Sequence, residues 1–98
     1  MIVFAEEALA DLERIFEFTF ARDGADALAH VAKIRAAVMI LEDHPEIGRP
    51  TEPGSSLREL VISHGKSGYV ALFEFSPQEK LVRVAAIRHR REAGYRRS

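Results

Sequence analysis

Apolar residues recur at intervals of three and four through the first half of the chain, and at alternate or adjacent positions through the second. Ala8, Leu12, Ile15, Phe16, Thr19 and Phe20 fall on one face of a helix, with Glu6 and Glu7 placed where the helix dipole favours anions. Phe18 stands outside that stripe and is expected either to meet a second helix or to lie exposed. The run Arg22-Asp23-Gly24-Ala25-Asp26 breaks the pattern, which predicts Asp23 as the N-cap of a second helix with Asp26 at its third position. That helix carries Ala27, Val31, Ile34, Val38 and Leu41 on one face, and Pro45 stops it by about Asp43. Ahead of the helices, Ile2-Val3-Phe4 is apolar enough for a short first strand.

The second half reads as three strands, residues 57–62, 69–75 and 81–89, rich in Val, Ile, Leu, Phe and Tyr. A glycine-bearing turn, Ser63-His64-Gly65-Lys66-Ser67-Gly68, separates the first two. Ser76-Pro77-Gln78-Glu79-Lys80 separates the others, with Pro77 suited to the second position of a type I turn. Connections this short permit only antiparallel neighbours. Residues 44–56 hold three of the four prolines and form the loop from helices to sheet. The predicted order is β-α-α-β-β-β: an α+β fold with a helical hairpin packed on one face of an antiparallel sheet.

Composition narrows the function. Ninety-eight residues is the size of one domain, and without cysteine neither disulfides nor thiolate metal sites exist. The longest nearly apolar run, residues 36–41, is too short to cross a bilayer, and no leader-like opening is present, so a cytoplasmic protein without a membrane role is expected. The net charge of −1 conceals a division. Residues 1–47 hold ten Asp and Glu against four Lys and Arg, whereas residues 48–98 hold ten Lys and Arg against five Asp and Glu. Such a chain has an acidic pole and a basic pole, and the basic pole suits phosphate or an acidic protein surface.

Several apparent motifs fail on spacing. Gly65-Lys66-Ser67 resembles the end of a phosphate-binding loop, but Leu60 occupies the position of the first glycine and a strand follows. His30, His44, His64 and His89 are scattered singly, so no metal site is expected, and His30 reads as a partly exposed helix residue. The constellation of interest is Arg58, Arg83, Arg88, His89, Arg90, Arg91, Glu92 and Tyr95. Arginine forks match phosphate or carboxylate, His89 offers an imidazole that can exchange a proton, and Tyr95 offers a stacking face. Seven of the fourteen Lys and Arg lie between Lys80 and Ser98, and residues 90–98 read as a polar, basic tail.

Ala8-x-x-Asp11-Leu12-x-x-Ile15-x-x-Phe18 is similar to the first-helix signature of the RelE/ParE toxin superfamily, and it is the first of five segments that resemble that superfamily in order and spacing. Leu41-x-x-x-Pro45-x-x-Gly48-Arg49 resembles the loop after its second helix, and Leu57-Arg58-Glu59-Leu60 the opening of its second strand. Gly68-Tyr69-Val70-x-Leu72-Phe73 and Val84-x-x-Ile87-x-His89-x-Arg91 resemble its last two strands. The family often places Ser or Thr before the first helix; here Ala5 stands there.

The resemblance implies that residues 1–98 are the toxin of a type II toxin–antitoxin pair, silenced by a cognate antitoxin, with no cofactor and no small-molecule substrate. One branch of the family cuts messenger RNA on the ribosome; the other poisons DNA gyrase without a known catalytic centre. The nuclease branch places Lys or Arg along the second and third strands, whereas Val61, Ile62, Ser63 and Tyr69-Val70-Ala71 supply none here. Gyrase poisoning is therefore the expected activity, with Arg58, Arg83, Arg88, His89, Arg90, Arg91 and Tyr95 meeting the target. The alternative, an endoribonuclease, would draw on His89, Arg91, Glu92, Tyr95 and Arg58, because cleavage needs a base, an acid and a cation for the phosphorane. A third reading is a non-toxic adaptor domain that has lost activity. For the antitoxin, Phe18, Arg58 and Arg91 are the expected contacts, together with an apolar hairpin groove and an open sheet edge.

Overall fold

Alternation in the strands and three-to-four spacing in the helices both resolve into elements of the expected type. The computed structural model describes residues 1–64 and 67–89. Strand β1 (Ile2–Phe4) leads into helix α1 (Glu6–Arg22), and helix α2 (Ala27–Val38) follows a 3-10 turn at Gly24–Asp26. A second 3-10 turn, Met39–Glu42, leads to β2 (Arg49–Pro50), β3 (Arg58–His64), β4 (Ser67–Ser76) and β5 (Leu81–His89).

The described residues form one five-stranded sheet in the order β1-β5-β4-β3-β2. The three long strands are antiparallel neighbours, as their short turns require. The sheet is nevertheless mixed, because β1 lies parallel to β5 with Ile2 opposite Val82 and Phe4 opposite Val84. Sequence pattern alone gave β1 no place, since pairing between the two ends of a chain leaves no local signal. Within the expected loop, β2 is a two-residue strand on β3. Pro50 is tolerated there because β2 is an edge strand, where an N–H facing away from the sheet has no partner to lose.

The core lies between the hairpin and one face of the sheet. Ala8, Leu12 and Ile15 of α1 and Ile34 and Val38 of α2 meet Ile62, Tyr69, Ala71, Phe73, Val82, Val84 and Ile87. Leu41, in the turn after α2, completes the cluster. A bulge between β4 and β5 at Leu72/Phe73 resets the alternation, so Val82, Val84 and Ile87 all reach this face. Burial fades toward the tip of the hairpin: Phe16 and Thr19 are half-buried and Phe20 is exposed, its ring centroid 5.7 Å from that of Phe16.

The start of α2 departs from expectation, whereas α1 starts where the sequence puts it. Asp23 makes no side-chain cap; its backbone N–H donates to the Thr19 carbonyl and its carbonyl accepts from Asp26 N–H, so a tight turn replaces the expected capped start. Helix α2 then begins at Ala27. Ala5 occupies the N-cap of α1 in an extended conformation (ψ 159°) with no side-chain hydrogen bond. A serine hydroxyl at that position can accept one of the free N–H groups of the first turn. Ala5→Ser is therefore expected to stabilise the protein by about 1 kcal/mol, read as a higher melting temperature.

Candidate functional site

The end of β5 is where the basic sequence meets the fold. Strand alternation sends Arg88 and His89 to opposite faces. His89 shares a face with Tyr69 of β4, the residue opposite it, and the two rings meet edge-on with centroids 5.6 Å apart. Tyr69 is buried, and its hydroxyl lies 2.9 Å from Nε2 of His30 on α2. His30 is thus a buried residue of the helix–sheet contact, whereas spacing alone predicts a partly exposed one. The reason is local: His30 lies three residues after Ala27 and four before Ile34, inside the buried stripe, and Tyr69 supplies the polar partner that makes its burial tolerable.

Arg88 turns around the edge of the sheet toward α1. Its guanidinium lies 2.7 Å from Glu7 Oε2, and its Nε lies 3.6 Å from Asp11 Oδ2. Asp11 is itself buried, and Oδ2 accepts the backbone N–H of Ile87 at 2.9 Å. Arg14, one turn along α1, approaches the other oxygen at 3.5 Å. The sequence placed Asp11 in a motif without assigning it a role; its partner is 76 positions away, and no local pattern announces that contact.

The other candidates lie apart. Arg58 opens β3 opposite Phe73, which in turn faces Val84; His89 is level with Tyr69 and Ile62. With β4 between them, β3 and β5 run in the same direction, so four residues, roughly 13 Å of strand, separate the two levels. The Arg58 guanidinium donates to the carbonyls of Glu46 (3.0 Å) and Gly48, fastening the crossing loop to the sheet. Arg83 is exposed on the face away from the helices, opposite Glu74. Phe18 is exposed near the hairpin tip with the Arg22 guanidinium 5.5 Å from its ring centroid. Arg90, Arg91, Glu92 and Tyr95 lie outside the described residues.

Between Leu60 and Ile62 of β3, and between Tyr69 and Phe73 of β4, no residue carries an acid, a base or a cation. Ile62, Tyr69, Val70, Ala71 and Phe73 are buried. Among the described residues no three His, Asp or Glu side chains form a metal-binding group, and no helix is long and apolar enough to cross a membrane.

Residues 2–94 match the profile of the ParE toxin of the type II toxin–antitoxin system parDE. The chain belongs to the ParE toxin family. It is thus the toxin component of a type II toxin–antitoxin system, with an antitoxin as its partner. A solved structure, the chromosomal ParDE toxin–antitoxin system from P. aeruginosa, shares the fold of this ParE-family toxin. The TM-score is 0.74 at 24% sequence identity, over 90% of this chain and 92% of that one. No curated protein matches the sequence.

Proposed function

We propose that this ParE-family toxin acts in the cytoplasm by inhibiting DNA gyrase through the basic end of β5, and that its antitoxin silences it by covering the hairpin and an open sheet edge. The observation that carries this reading is the middle of the sheet. The stretches where a ribonuclease of the wider superfamily would hold its scissile phosphate offer only aliphatic and aromatic side chains and one serine. An attack on phosphate there would have no cation to stabilise the developing charge and no base to start it. A protein that traps a larger enzyme needs neither. It needs a rigid edge bearing groups that complement an acidic or phosphate-rich surface, and the segment that continues from Arg88 and His89 into Arg90, Arg91 and Tyr95 is the richest source of them.

For the antitoxin, Phe18, Phe20 and Leu28 are exposed apolar side chains near the tip of the hairpin, suited to the apolar stripe of a partner helix. Strand β2 covers β3 only at Arg58 and Glu59, leaving the edge from Leu60 onward for an added strand. Arg58 and Arg91 remain proposed polar contacts. Arg58, held by two loop carbonyls, would act mainly by fixing the surface around it.

Expression with and without the antitoxin reading frame tests this, with plasmid supercoiling and transcript integrity assayed together. The proposal expects growth arrest, loss of negative supercoiling and intact transcripts, all reversed by the antitoxin. Messenger cut within codons while supercoiling stays normal would establish the ribonuclease instead.

A further inference from the structure

Past Val84, β5 runs out of strand partners on its outer side. Strand β1 ends at Phe4, and the Ala5 N–H takes the Val84 carbonyl as the chain turns into α1. An exposed strand edge normally invites another chain. Here α1 closes it with a side chain: Asp11 receives the Ile87 N–H and, together with Glu7, holds the guanidinium of the next residue, Arg88. A buried carboxylate is tolerable only when hydrogen-bonded and faced by positive charge. β5 supplies both, from consecutive residues.

We propose that Asp11, assisted by Glu7, is a positioning residue that hooks the last residues of β5 to α1 and thereby sets the direction in which the basic end of the sheet is presented. The proposal rests on the reading of that end as the target-binding surface. The hook fixes the backbone of Ile87 and Arg88 immediately before the target-facing residues, so its loss frees the strand end while leaving the apolar hairpin tip unchanged.

The test uses the full chain with Asp11→Leu, which removes the contacts of Asp11 with Ile87 and Arg88, and Asp11→Asn, which keeps an acceptor for the Ile87 N–H and discards the charge. With Asp11→Leu, hydrogen exchange at the Ile87 amide is expected to accelerate about tenfold or more while Ala71 and Phe73 amides keep their protection. The concentration needed to inhibit gyrase should rise about tenfold, and affinity for the antitoxin should stay within about threefold. Asp11→Asn should keep Ile87 protected and weaken inhibition by about threefold. Unchanged Ile87 exchange in Asp11→Leu overturns the hook, as does acceleration spread evenly over β4 and β5 with equal loss of both affinities. If Asp11→Leu does not fold, Asp11→Asn decides, and inhibition equal to wild type counts against the proposal. Wild-type protein that leaves gyrase active would refute the target reading alone, and the Ile87 exchange rate would still decide the hook.

Discussion

Replacing Phe73 with alanine is expected to cost about 3–5 kcal/mol, the largest loss from any single side chain among the described residues. Among the described residues Phe73 is the bulkiest fully buried side chain, and it sits in the central strand β4, within the cluster shared by both helices. Its neighbours are held in place by the β3 and β5 ladders on either side, so the space it leaves cannot collapse. For a domain of this size each kcal/mol lowers the melting temperature by about 4–8 °C, so the variant should melt at least about 12 °C below the parent. Thermal unfolding followed by circular dichroism checks this; a loss under about 1 kcal/mol would mean that the hairpin does not pack on the sheet at this point.

The second large effect belongs to a residue with no side chain. A methyl group on Gly48 would collide with the backbone carbonyl of Glu59 and approach the Phe73 ring to 2.9 Å. Neither can yield: the carbonyl belongs to a strand paired on both sides, and the ring is fully buried. Gly48→Ala should therefore destabilise by about 1–3 kcal/mol and loosen the crossing loop that Arg58 fastens. Gly24 gives the contrast. There the atoms nearest the added methyl belong to the ring of Phe20, from 3.3 Å, the end of an exposed side chain rather than backbone, so Gly24→Ala should change stability by less than about 0.5 kcal/mol. Chemical denaturation of the pair separates the two outcomes, and equal losses would contradict the close approach at Gly48.

These contrasts show which parts of the fold sequence reasoning reaches. The helical stripes through Leu12, Ile15, Ile34 and Val38 and the alternation in β4 and β5 are local signals, and those elements lie where the spacing puts them. The end of α1 is half legible. Phe16 and Phe20 satisfy the helical spacing, yet only Phe16 is partly covered, because spacing defines a face without telling how far along the helix the sheet extends. Illegible features depend on residues far apart in sequence. They include the parallel pairing of β1 with β5, the burial of His30 against Tyr69, and the capture of Ile87 N–H by Asp11. The candidate cluster divides in the same way. Clustering in sequence selected Arg88 and His89 at the strand end, but composition could not reveal that strand order sets Arg58 at another level of the sheet, with its guanidinium committed to loop carbonyls.

The charge asymmetry acquires a physical form at one point. Glu7 and Asp11, from the acidic half, hold Arg88 of the basic half, so the two poles touch where α1 passes the edge of β5. In the sequence Arg90 and Arg91 follow within three residues, and they are among the groups proposed above to meet gyrase.

Purified toxin added to DNA gyrase and relaxed plasmid, with and without the antitoxin, tests that assignment most directly. Dose-dependent loss of supercoiling with accumulation of cleaved DNA is expected, with recovery of full activity when the antitoxin is present in excess. Gyrase that supercoils at its normal rate in an excess of free toxin would contradict it.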